Sequence, residues 1–187
     1  MLSEQQIDNL LRQQAISDIH PWSSNDPDAI DAYYKTVCAE LTRRTGTSSK
    51  IEWNHYGSGY ASYIDAWIYK PTPDFSVDYP GKQGEAYEGL CILLSRLSPY
   101  FVFLQGAKTW KERGGSSYMP AYEAVDHLTH PSVISLASKA QEVLTSFGLI
   151  RASKNDLGSP ISPSIRVPTN LTDGPFIEFD ALYYWED

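Results

Sequence analysis

His55 and Asp65 lie on two runs that flank a glycine turn, and together they supply what proton transfer needs: an imidazole that titrates near neutral pH and a carboxylate to orient it. Ser58 sits in that turn as a candidate nucleophile, but the sequence around it has no G-x-S-x-G elbow, and a cross-strand structural pair is the simpler role for His55 and Asp65. A second group, Glu123, Asp126, His127 and His130, falls in YEAVDHLTHP. Its two histidines are three apart, which would place them on one helical face as metal ligands. Pro131 starts a new helix directly after them and breaks that spacing, so loop and cap roles are expected and no metal is. A third group sets Lys108, Lys111 and Arg113 before Gly114-Gly115-Ser116-Ser117. Backbone amides and cations there suit a phosphate, but the G-K-[ST] ending is missing and no helix opens, so it reads as a basic loop. None of the three groups forms a recognised catalytic constellation.

The aromatic residues carry more. The chain has 13 Tyr and 5 Trp in 187 residues. Trp53, Tyr56, Tyr60, Tyr63, Trp67 and Tyr69 cluster on one predicted hairpin, with Glu52, Asp65 and Asp74 close by. Tyr and Trp anchor interfaces because each offers a large rigid area with a polar tip. Glu52, Trp53, Tyr56, Tyr60, Tyr63, Asp65, Trp67 and Asp74 are therefore expected to form an acidic, aromatic docking surface; ordinary core packing is the alternative for the same residues.

Positioning these residues requires a scaffold. Ser3 with Gln6 forms a capping-box pattern before a helix over about 3–18, with Ile7, Leu10, Leu11, Ala15 and Ile19 inward. Asp26-Pro27 starts a second helix with the stripe Ile30, Tyr33, Tyr34, Val37, Cys38 and Leu41, basic residues Arg43 and Arg44 in its last turn, and Gly46 at its end. The period then drops to two. Ile51 and Trp53, Gly57-Ser58-Gly59, and Tyr60 to Tyr69 predict a β-hairpin, with Ile64, Ala66 and Ile68 on one face and Tyr63, Asp65, Trp67 and Tyr69 on the other. Residues 71–84 read as an exposed loop or hairpin tip, and residues 87–97 and 100–104 as two central strands joined near Ser98-Pro99, with a helix over 87–97 as the alternative. A helix follows Pro131, with Val133, Ile134, Ala137, Gln141, Leu144 and Phe147 on its inner face and Gly148 at its C-cap. Residues 151–175 read as an irregular wrapping segment, and FIEFDALYYW at the end as a strand. The sum is a single α+β domain, residues 1–187, with a mainly antiparallel sheet and helices packed on one face.

Charge bounds the partners. Lys and Arg number 15 against 23 Asp and Glu, for a formal charge of −8. That field has the wrong sign for phosphate backbones and anionic membrane surfaces, so neither nucleic acid nor membrane is expected, whereas a basic protein would be steered in. Cys38 and Cys91 sit in apolar contexts without C-x-x-C spacing, as buried free thiols of a reducing compartment do. The start, MLSEQQIDNLLRQQ, does not read as a secretory signal, and a cytoplasmic location is expected.

Four stretches, YEGLCILLSRLSPYFVFLQGAKTW (87–110), GGSSYMP (114–120), RVPTNL (166–171) and FIEFDALYYWED (176–187), resemble immunity proteins encoded beside polymorphic or type VI secreted bacterial toxins. The resemblance covers roughly the C-terminal half. It implies a cytosolic single-domain protein without cofactor or catalytic residues that binds one cognate toxin and blocks its active site. The alternative is a small enzyme or ligand-binding domain whose pocket lies between the aromatic sheet and the 106–120 loop, with His55, Asp65 and His127 as its working residues.

Overall fold

A computed structural model describes residues 2–53, 59–77, 86–108 and 120–186. Helix α1 (Glu4–Leu11) begins as its sequence dictates: Ser3 Oγ accepts the Gln6 N–H at 3.2 Å and the Gln6 side chain accepts the Ser3 N–H at 2.9 Å. It ends seven residues before the expected limit. Gln13 turns into the left-handed region at φ 58°, and the chain leaves the helix axis so that the Ile16 N–H reaches the Leu97 carbonyl at 2.8 Å. Helix α2 (Pro27–Thr45) has both its expected caps, the Asp26 carboxylate on the Asp28 N–H and Gly46 at φ 62°. It buries Ile30, Tyr34, Val37, Cys38 and Leu41 as the spacing predicts.

The strands follow. β1 (Ser48–Glu52) pairs antiparallel with β3 (Tyr63–Tyr69), Glu52 opposite Asp65 and Ser48 opposite Tyr69. Between them β2 (Tyr60–Ala61) leaves the main sheet. β4 (Ser76–Val77) adds to the start of β5 (Ala86–Ser95), and β5 runs antiparallel to both β3 and β6 (Tyr100–Ala107). The β5–β6 turn falls at the expected Ser98-Pro99, where the buried Tyr34 hydroxyl donates to the Ser95 carbonyl at 2.6 Å. Helix α3 (Pro131–Ser146) leads into β7 (Ile150–Arg151), which lies parallel beside β6. The order is β1-β3-β5-β6-β7. In α3, Val133, Ala137 and Leu144 are buried as expected, but the buried face continues through Leu136, Ala140 and Val143 and leaves Ile134 48% exposed. Ala137 and Ala140 give this face the small side chains that let the helix approach α2 and β5.

Alternation divides the sheet. Ile64, Ala66, Ile68, Leu90, Ile92, Leu94, Phe101 and Phe103 face the core under α2 and α3. Tyr63, Trp67, Cys91, Leu93, Val102 and Leu104 face the other way, as expected for β3. That second face is covered too, by α1, α4 (Lys154–Leu157), α5 (Glu178–Leu182) and the irregular chain around them, with Val167, Phe179, Leu182, Tyr183 and Tyr184 buried against it. The terminal run is thus not the strand expected over Phe176–Trp185. Asp180 accepts the Ile177 N–H at 2.9 Å and starts the helical turn α5; only β8 (Trp185–Glu186) pairs, with β2. Ser62 fastens this strap: its N–H donates to the Tyr184 carbonyl at 3.0 Å and its Oγ accepts the Tyr184 N–H at 2.9 Å. Tyr184 in turn donates its hydroxyl to the Leu10 carbonyl at 3.0 Å. Among the described residues, no helix is long and apolar enough to cross a membrane.

Candidate functional site: an acid-rimmed groove beside the hairpin

The eight residues expected at a docking surface separate into four groups. Tyr63, Asp65 and Trp67 are buried, at 3%, 4% and 3% exposure, beneath the C-terminal strap, and present nothing to a partner. Their polar tips are spent internally. Trp67 Nε1 donates to the Gly106 carbonyl at 3.1 Å, and its indole lies across Gly89, where a Cβ would stand 2.2 Å from Nε1. Tyr69 stacks on the same indole at 4.1 Å. Asp65 Oδ2 accepts from Lys108 Nζ, both side chains being inaccessible, while Asp65 Oδ1 has no hydrogen bond. Among the described residues its partner is therefore Lys108, a cation six residues beyond Val102 on the same face; the expected partner, His55, lies outside the described residues. Tyr56 forms the second group; it lies outside the described residues, as do His55, Ser58, Lys111, Arg113 and Gly114–Ser117. Glu52, half-buried, and the exposed Asp74 make up the third, at separate places: Asp74 belongs to the turn Pro73–Phe75 and lines a different cavity.

Trp53 and Tyr60 form the fourth. Both are half-buried, and they wall a groove of about 440 Å³ at the end of the sheet. Three connections build it. The α1–α2 link supplies Asn25, left-handed at φ 50°, whose Oδ1 accepts the Ala15 N–H at 2.8 Å, and Pro27. The hairpin supplies Trp53 and β2 supplies Tyr60. The β5–β6 turn supplies Leu97 and Arg96, whose backbone N–H donates to the Ser62 carbonyl at 2.8 Å. Arg96 ties the walls together: its guanidinium donates to the Asp31 carboxylate on α2 and to the Trp53 carbonyl. Tyr60 packs against Tyr184 with the rings tilted and their centroids 5.7 Å apart. Burial pushes the Tyr60 phenol up to about 12, so it stays a neutral donor at physiological pH.

The rim is acidic. Asp26 and Asp28, both exposed, flank Pro27. Glu186 lies opposite Tyr60 in the β2–β8 pair and accepts the Gln13 amide at 3.1 Å. The positive charge inside the groove, that of Arg96, is met by Asp31. Among the described residues the lining holds no serine, cysteine or histidine. What the arrangement offers is binding: flat aromatic and aliphatic walls that desolvate well, ringed by carboxylates that attract cationic groups.

The histidine group does not converge. Asp126 Oδ1 accepts from Arg151 at 2.8 Å and Oδ2 from the Lys154 N–H at 2.9 Å, and His130 stands at the N-cap of α3 with its ring against Phe75. No group of three or more His, Cys, Asp or Glu among the described residues is placed to hold a metal. Arg96, Asn25 and Pro27 were not anticipated as site residues. Arg96 had one signal, a cation standing alone between the apolar runs 87–95 and 100–104. Comparison with known proteins finds no matching family model, no similar curated protein and no similar solved structure.

Proposed function

We propose that this chain is a binding inhibitor of the immunity class, which docks a basic bacterial toxin through the Trp53–Tyr60 groove and covers the toxin's active site. The observation that carries the reading is the combination of two half-buried aromatic walls with Asp26 and Asp28 on either side of the lining residue Pro27 and Glu186 opposite Tyr60, on a chain of net charge −8. Apolar walls of this kind accept the aliphatic stem of a partner's Lys or Arg, and the rim meets its charge. A toxin surface that holds an anionic substrate presents such residues. A stable complex of this kind buries about 1,600 Å² in total, so the groove would be its centre and the surrounding face its margin.

The test is co-expression with the product of the adjacent open reading frame, with growth and complex formation as the readouts. Rescue from a toxic product, together with a complex that survives gel filtration, is the expected result. A toxic neighbour that is neither bound nor neutralised would refute the reading.

A further inference from the structure

Most cations among the described residues of this acidic protein are occupied. Arg12, Arg43, Arg96, Lys108 and Arg151 hold carboxylates, Lys35 lies over Trp53, Arg44 reaches Ser146, and Lys154 reaches the Glu123 carbonyl and the Tyr122 ring. Lys50 is engaged as well. Among the described residues that leaves Lys70, Lys139 and Arg166, and two of these three line one cavity of about 350 Å³, away from the docking groove. Thr72, Ser132 and Ser135 line it too, and none of their hydroxyls makes a hydrogen bond among the described residues. Phe75 and Leu136 form its apolar wall.

The surroundings favour an anion further. Ser132 is the second residue of the 16-residue helix α3, whose N-cap, His130, gives no side-chain cap. The first intrahelical donor is the Ile134 N–H, to the His130 carbonyl, so the Ser132 and Val133 N–H groups at the start of the helix have no partner among the described residues. Two ammonium groups, three free hydroxyls and open backbone donors are the groups that hold a tetrahedral oxyanion. One lining residue points to the rest of the ligand. Asp74 is a carboxylate on the same cavity and repels a ligand that is anionic throughout, but it accepts hydrogen bonds from hydroxyls.

We infer that the cavity between the segment that follows β3 (residues 70–75) and α3 binds a small hydroxylated phosphate monoester of the sugar-phosphate class, with its phosphate on Lys70, Lys139 and Ser132 and its hydroxyls on Asp74. The site is independent of the docking groove and shares no lining residue with it.

Titration of the full chain with inorganic phosphate and, separately, with glucose 6-phosphate tests this, at constant ionic strength and with the Ser132 and Val133 amide resonances as reporters. Both titrations are expected to saturate, glucose 6-phosphate at about millimolar concentration or below. The Lys70→Ala/Lys139→Ala double variant, at solvent-facing positions, should weaken both at least tenfold. Asp74→Asn should move the two ligands in opposite directions, tightening inorganic phosphate and weakening glucose 6-phosphate. Amide shifts that rise linearly without saturation, unchanged binding in the double variant, or an Asp74→Asn effect of the same sign on both ligands would each overturn the assignment.

Discussion

Trp53 and Tyr60 on one side, and Tyr63 and Trp67 on the other, come from one short stretch of chain and are the same residue types, yet only the first pair opens to solvent. The difference is made elsewhere. Tyr63 and Trp67 face the sheet surface over which residues 151–186 close, pinned by Ser62 to Tyr184. Trp53 and Tyr60 sit at the sheet's end, where the covering segment has already turned into β8. Residue type therefore marks what a side chain can do at an interface, and the covering segment decides which interface it joins, internal or external.

The comparison can be broken most forcefully at Asp65. Asp65→Ala removes the carboxylate facing the buried Lys108 ammonium and should cost about 3–5 kcal/mol of stability. Adding Lys108→Met should recover most of that loss. A urea midpoint that barely moves in the single variant would show that the pair is not held away from water as described.

Trp67→Ala should destabilise by about 3–5 kcal/mol by emptying a buried indole site, while leaving the affinity of the folded fraction for a partner unchanged. A loss of affinity at full folding would return Trp67 to the docking surface. Gly89→Ala strikes the same indole from below, because the new methyl would collide with Trp67 Nε1 and with the Ile68 carbonyl, 2.9 Å from the Cβ position. An overpacking cost of about 1–3 kcal/mol is expected by denaturant unfolding. A variant as stable as the parent would mean that the indole has room to move.

An effect confined to alkaline pH concerns stability. Burial raises the Cys38 thiol from 9.0 to about 12, and burial likewise raises the Tyr60 phenol from 10.0 to about 12. Each group is raised in the folded state, so the unfolded chain releases its proton first and stability falls as pH rises. The loss begins near 9 for Cys38 and near 10 for Tyr60 and is complete near 12. Cys38→Ala and Tyr60→Phe should each flatten the fall of the urea midpoint across these windows. An unchanged slope in both variants would contradict their burial as neutral groups.

What was legible in the sequence was local. Asp26-Pro27 and Gly46 bracket α2 with caps that act within a turn, and Ser98-Pro99 separates two strands that no helix could continue through. Alternation in β3 assigned Ile64, Ala66 and Ile68 to one face and Tyr63, Asp65 and Trp67 to the other correctly, because side-chain period is a property of the strand alone. The misreadings all involve distant contacts. α1 stops where Ile16 is drawn to Leu97, and the C-terminal run becomes α5 instead of a strand because its carbonyls and amides answer to Ser62, more than a hundred residues earlier. The partnership of Asp65 with Lys108 and the clamp of Arg96 on Asp31 and Trp53 are of the same kind. Periodicity carries no information about which of two sheet faces a later segment will cover, and so it does not separate Tyr63, Asp65 and Trp67, which are buried, from Trp53 and Tyr60, which are half-buried.

The most direct measurement is the affinity of the toxin-class partner for Trp53→Ala and Tyr60→Ala, each with its urea midpoint recorded beside it. The account predicts a loss of at least about 2 kcal/mol in binding for each, roughly 30-fold in Kd, with a far smaller change in stability than Trp67→Ala produces. Parental affinity in both variants, with the protein folded, would contradict the central claim that this groove is where the partner docks.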